Sequence, residues 1–362
     1  MNIRNEYMKI TAPNIGASTF KEKFKKISKS PYFQFGILFA VLMIIMFLDE
    51  AKLIYAKLDV AYIMCYSIAA IGFCLLLGYS GLASLGTAGF VGVGTYMAYY
   101  ALQNWGLTFA PGLIITAIVA IIIGAIIGFI SLRIEGIYLA ITTLAISEVI
   151  VLILKAIKGD SISLKINKMF AFLKLSFFQT DIAVYTIIAI ILAMLLIFTA
   201  HIINSPTGRA MQAMKSSTSA AQAMGISLMK YRLLAFVIAT MFATVAGYLY
   251  MLITRNIIPT SETKFTLSTS LNILGAVIIG GAMSLWGVLA GVFFVYGLQP
   301  LILSNIPFFQ QNEEFIILLT GALMVVVVMF FPGGFAHIVL QIRLSIMKAL
   351  QKWRIRKYGI EA

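Results

Sequence analysis

Residues 111–131 run for 21 positions without one charged side chain. Coiled as an α-helix, such a run is about 30 Å long, the thickness of a bilayer's hydrocarbon core. Comparable apolar runs occupy 33–48, 58–78, 136–154, 182–203, 233–253 and 315–331. Two more regions, 81–103 and 268–303, are apolar but rich in Gly and Ser. The second is too long for one span, and Gly280, Gly281 and Gly287 interrupt it, so it divides into 268–283 and 285–303. In lipid every backbone N–H and C=O must be satisfied within the protein, which leaves helices as the spanning element for runs of this length. The expectation is an all-α integral membrane protein, a polytopic bundle of about ten transmembrane helices with Gly-rich interrupted segments.

Composition excludes the alternatives. Hydrophobic residues make up 61% of the 362 and charged residues 11%, with mean hydropathy +0.99. A water-facing surface cannot be built from that, so soluble enzymes, nucleic-acid binders and disordered chains are set aside. The net charge of +14 reflects topology instead. With the N-terminus inside, 18 of the 27 Lys and Arg residues fall in inside segments, mainly 1–31, 204–232 and 336–362. Acids such as Asp49, Asp59, Asp160 and Glu262 fall outside. The segment 155–181, with five lysines, runs against this trend, and long loops obey it weakly. Three regions follow: a basic cytoplasmic segment 1–31, a transmembrane domain 32–335, and a basic cytoplasmic tail 336–362. Both ends contain amphipathic stripes, Phe20, Phe24 and Ile27 among lysines and Val339, Ile342, Ile346, Leu350 and Trp353 in the tail. Each suits either a helix on the inner leaflet or a solvated basic tail.

The chain offers little for catalysis. Cys65 and Cys74 lie in an apolar run and lack the short spacing of a metal or redox pair. With His201 and His337 the two histidines, no zinc site can be argued, and no cofactor is expected. The dipeptide Gly-Lys is absent, so there is no Walker A loop to hold ATP phosphates.

The longest inside loop, 204–232, reads NSPTGRAMQAMKSSTSAAQAMGISLMKYR. Ser217 is placed to cap a short helix over 218–224, and Gly225 is the residue type expected just past its end. Ala220, Ala221 and Ala223 would make that helix slender, suiting it to docking. This loop resembles the coupling loop of permeases in ATP-binding-cassette importers of the branched-chain amino-acid family. The resemblance rests on Ser205, Pro206, Gly208, Arg209, Ala220, Ala221, Gly225 and Ile226. It continues through LRIEGIYLAITTLAISE at 132–148, GYSGLASLGTAGFVGVGTY at 78–96, GGAMSLWG at 280–287 and FPGGF at 331–335. The family usually has acids just before the Ala-Ala; here Ser216, Ser217, Thr218 and Ser219 stand there, which points to a contact made by shape more than charge.

The resemblance implies a non-catalytic permease subunit in a bacterial plasma membrane, with Arg209, Ser217, Ala220, Ala221, Gly225 and Ile226 coupling to an ATPase. The implied partners are two ATPase subunits, a second homologous permease and an extracytoplasmic substrate-binding protein, and no nucleic acid. Urea, short amides and other amino acids are alternative cargoes. For the substrate pathway the expectation is Ser84, Gly86, Thr87, Gly89, Glu148, Gly280, Gly281 and Ser284. The segments Gly81-Leu-Ala-Ser84-Leu85 and Gly281-Ala-Met-Ser284-Leu285 share a Gly-x-x-Ser-Leu pattern. Unwound backbone there would offer N–H groups to a carboxylate and carbonyls to an ammonium. Glu148 lies inside a span, where an acid is either hydrogen-bonded between helices or, in the rival reading of a proton-coupled secondary transporter, the coupling group.

Overall fold

A computed structural model describes residues 31–50, 57–134, 136–157, 162–164, 180–257, 265–298, eight positions between 315 and 330, and 333–337. The elements are α1 (Pro31–Glu50), α2 (Lys57–Phe73), α3 (Thr87–Tyr99), α4 (Phe109–Ser131), α5 (Ile137–Ile157), α6 (Thr180–Asn204), α7 (Pro206–Ser216), α8 (Thr218–Ala223), α9 (Leu228–Thr254), α10 (Leu267–Gly280) and α11 (Leu285–Val292). Wider π turns prolong α2 over Cys74–Tyr79, α3 over Tyr100–Asn104 and α11 over Phe293–Gly297. One two-residue antiparallel pair, Ile162–Ser163 with Asn256–Ile257, ties the chain beyond α5 to the end of α9.

Burial sorts the helices. The spans Leu58–Tyr79 and Leu228–Thr254 are 83% and 78% buried, whereas Phe109–Ser131 and Tyr138–Ile157 are each 22% buried. So α2 and α9 form the centre, and α4 and α5 stand at the rim. The rim of α4 shows Ile114, Ile118, Ile121, Ile122 and Ile126 to the outside. An apolar face of that size is lipid-facing. Its opposite face carries Gly112, Thr116, Ala120, Gly124 and Gly128, one every fourth residue and all buried. That spacing puts them on one stripe, where small side chains let α4 lie against Tyr248, Thr240 and Phe236 of α9.

The closest crossing joins α3 to α9. A Cβ on Gly94 would run into the Thr244 carbonyl, and one on Gly247 into the Val91 carbonyl. The two backbones therefore touch, and Thr95 Oγ1 donates to the Gly247 oxygen at 3.1 Å. Polar side chains inside the bundle mostly satisfy themselves on the preceding turn: Ser67 donates to the Ile63 carbonyl, Thr116 to Gly112 and Thr244 to Thr240. This is how Ser and Thr are accommodated away from water.

The expected count of ten spans is only partly matched. Among the described residues, five helices are long and apolar enough to cross a membrane. Gln34–Leu48, Leu267–Gly280 and Leu285–Gly297 are shorter apolar helices. The stretch expected to span over 81–103 begins as irregular chain and turns helical only at Thr87, because Gly81 takes a positive φ of 73° and breaks the helical path. Residues 1–30, most of 155–181 and most of 299–332 and 338–362 lie outside the described residues, as do the amphipathic ends and much of the 315–331 run.

Candidate functional site

Between α2 and α3 the chain from Ser80 to Gly86 is non-helical yet mostly buried, with Ser80 5%, Leu82 8% and Ser84 4% exposed. Irregular backbone at membrane depth persists only where protein or water satisfies it. Here side chains do so. The Leu85 N–H donates to Thr143 Oγ1 (3.1 Å), Gly86 N–H to Ser84 Oγ (3.3 Å), Ala88 N–H to Ser270 Oγ (2.9 Å) and Gly89 N–H to Ser147 Oγ (3.0 Å). The amides that opened as candidate ligand donors are thus held by hydroxyls of α5 and α10 and by Ser84 of the break itself. Gly86 and Gly89 are the positions where α5 comes close: a Cβ there would lie 2.6 Å from the Thr143 oxygen or 2.5 Å from Ser147 Oγ. Thr87 is buried beside them at the start of α3.

The second interrupted segment forms a hairpin. Gly280 of α10 and Gly287 of α11 face each other so closely that neither accepts a Cβ. Gly281 turns the chain with φ 97°, and Ser284 caps α11 by accepting from the Gly287 N–H at 3.2 Å. The shared Gly-x-x-Ser-Leu pattern therefore has a common physical use. Gly81 and Gly281 both hold positive φ, and Ser84 and Ser284 both bind a backbone amide just ahead. The two segments meet: Gly78 packs on the Ala282 carbonyl, Cys74 Sγ donates to the same carbonyl at 3.0 Å, and Tyr79 OH donates to the Met283 carbonyl at 3.0 Å. From the FPGGF segment, Gly333, with Ala336 just beyond it, packs on Gly281, and a cleft of about 370 Å³ opens between them and Ser284.

At the same end of the bundle the loop 204–232 folds into α7 and α8. Ser205 caps α7, accepting from the Gly208 N–H at 3.4 Å, with Pro206 at its first position. α7 is an element beyond the one short helix expected in this loop; Gly208, Ala210, Met211 and Met214 on its buried side carry the amphipathic signal for it. Ser217 caps α8 as expected, its Oγ accepting from the Ala220 N–H at 3.3 Å, and Gly225 follows with φ 79°. The residues named for coupling divide between two faces. Arg209, Ser217, Ala220 and Gly225 are exposed, with Gln222 and Ala223, and Met224 is 84% exposed at the tip. Ala221 is only 4% exposed and packs into the body, and Ile226 is half-buried with its N–H on the Ala221 carbonyl. Those two dock α8 on the bundle.

Glu148 sits midway along α5 and is exposed, on the outer face with Val149 and Leu152. It does not point into this chain's bundle. At the far end of α9 from the loop, a tyrosine cluster escaped sequence reasoning: Tyr66 stacks on Tyr296 (4.0 Å between centroids), and Tyr250 meets both Tyr62 and Tyr66. No local signal joins side chains from α2, α9 and α11.

The family model described as the branched-chain amino acid transport system permease component matches residues 60–328. The chain belongs to that permease family. The matched range takes in both Gly-rich breaks and the α7–α8 loop. The chain is 30% identical over 260 residues to the high-affinity branched-chain amino acid transport system permease protein LivM of Escherichia coli (strain K12), and 29% identical to its counterpart in Salmonella typhimurium, covering 64% of this chain each time. It spans 60% of the length of those two relatives. A probable branched-chain amino acid transport permease protein LivM from Methanocaldococcus jannaschii is 28% identical over 235 residues, 55% of this chain and 68% of the relative. No solved structure matches. The family and the apolar spans make this a membrane-embedded protein.

Proposed function

We propose that this chain is the non-catalytic permease subunit of an ATP-driven importer of branched-chain amino acids. The observation that carries the reading is α8: a short helix with a small-residue face, capped at both ends and exposed beyond the helix bundle. Such an element suits the docking of an ATPase close to its backbone. Two ATPase subunits and an extracytoplasmic binding protein complete the assembly, by analogy with the family. The basic-residue distribution supports a cytoplasmic α7–α8 end and cytoplasmic termini in a bacterial plasma membrane, and about ten crossings, the short helices α1, α10 and α11 among them.

Glu148 supports a second permease subunit. A carboxylate at the centre of a span costs about 2.5–3.5 kcal/mol when it faces lipid, so an exposed one there calls for a protein neighbour or a watered pathway. A homologous subunit set against α5 supplies either. The substrate pathway then runs along α5 and past Ser84, Thr87, Gly281 and Ser284, with the glycines 86, 89 and 280 fixing the backbone. The test is uptake of labelled leucine in cells lacking this subunit, with urea and a simple sugar as controls. Leucine uptake is expected to fall and the controls to hold. Loss of urea uptake with leucine uptake intact would move the cargo to the amides.

A further inference from the structure

A side chain of the 204–232 loop reaches the Gly-rich break. Lys215, in the last turn of α7, donates from Nζ to the carbonyl oxygen of Gly78 at 2.7 Å. That carbonyl belongs to the π turn Cys74–Tyr79, where α2 widens before it ends. In this turn the N–H of Ser80 returns to Leu75 and that of Leu82 to Leu76, which leaves the Gly78 oxygen open to the ammonium. π turns of this kind recur at functional sites because they loosen the regular ladder. Gly81, at φ 73°, lies directly over the Lys215 side chain; a Cβ there would come within 3.2 Å of Cγ.

The same six residues are gripped from the other side. Gly78, Cys74 and Tyr79 all bear on the carbonyls of Ala282 and Met283 in the turn between α10 and α11. The contacts thus form one continuous chain: α7, the Lys215 ammonium, the π turn, the 281–284 turn. A displacement of the loop pulls on the Gly78 peptide, and that peptide cannot slide past Ala282 because no space separates them. The geometry points to Lys215 as a positioning residue that transmits the stroke of a docked ATPase into the interrupted helices. This rests on the reading of the chain as an ATP-driven permease. Charge matters as well as length, since a hydrogen bond from an ammonium is about twice as strong as a neutral one.

The test compares wild type with Lys215→Met, Lys215→Arg and Lys215→Cys in the assembled transporter in proteoliposomes, reading leucine uptake, ATP hydrolysis and ATPase co-purification. Lys215→Met is expected to keep the ATPase bound and hydrolysing while leucine moved per ATP falls about tenfold, the loss of one charge-assisted hydrogen bond. Lys215→Arg retains part of the coupling, because a guanidinium donates to the same carbonyl. The Lys215→Cys protein, uncoupled as purified, regains coupling when alkylated with bromoethylamine, which rebuilds a lysine-like ammonium, and not with iodoacetamide. That last comparison is made on one folded sample, so a folding defect cannot imitate it. Unchanged leucine per ATP in Lys215→Met, or recovery with both reagents, overturns the proposal. A wild-type assembly that takes up no leucine with ATP overturns the functional reading beneath it.

Discussion

At Gly247 the absence of one carbon atom decides how the centre of the molecule is built. Its Cβ position is filled by the Val91 carbonyl, and Gly94 is in the same relation to Thr244. A Gly247→Leu chain must push α3 off α9, and overpacking of this kind costs about 1–3 kcal/mol or more. It is expected to give little monodisperse protein on size exclusion in detergent. Gly106→Ala is the control: Gly106 has a φ of 64°, which Gly247 does not share, but nothing lies within 4 Å of a Cβ there, so the change is expected to cost only about 1 kcal/mol and to remain monodisperse. Equal yields from the two variants would show that the crossing is not as close as described. Residue types were legible in the sequence at these positions, but their partners were not. Gly86 and Gly89 read as ligand-facing because Gly frees the backbone; what they meet, Thr143 and Ser147, is 57 and 58 residues away. Glu148 likewise could be placed in a span but on neither side of it, since a span apolar all round has no sequence signal for its buried face.

Among the elements, α8 was the most legible, because Ser and Gly at its ends are local signals with local causes. Which of its alanines faces outward required the fold. Ala220 is exposed and Ala221 buried, so the same substitution separates docking from stability. Ala220→Glu is expected to leave protein level and melting temperature unchanged and to reduce ATPase recovered in a pull-down. Ala221→Glu buries an unpaired carboxylate against the bundle, and is expected to lower the melting temperature by several degrees, as a loss of about 1–3 kcal/mol would. The reverse pattern would mean that α8 presents its other side to the partner. α7 stayed hidden because Met211 and Met214 are spaced like a helix face in a stretch whose Ser, Thr and Gly read as loop.

For the whole molecule, the apolar runs were enough to establish a helical membrane protein, and the burial gradient from α2 and α9 to α4 and α5 adds which helices are inner and which meet lipid. The span count was less legible, since Gly-rich segments shorten helices without reducing their hydropathy, as at 81–86. In the assembly we propose, an ATPase acts at the exposed α8 and a second membrane subunit covers the outward Glu148. The most direct measurement is leucine uptake into proteoliposomes holding that assembly, with ATP supplied and the proton gradient collapsed by a protonophore. The account predicts uptake that needs ATP and persists without the gradient. Uptake driven by an imposed proton gradient with no ATP present, and abolished by Glu148→Gln, would contradict it.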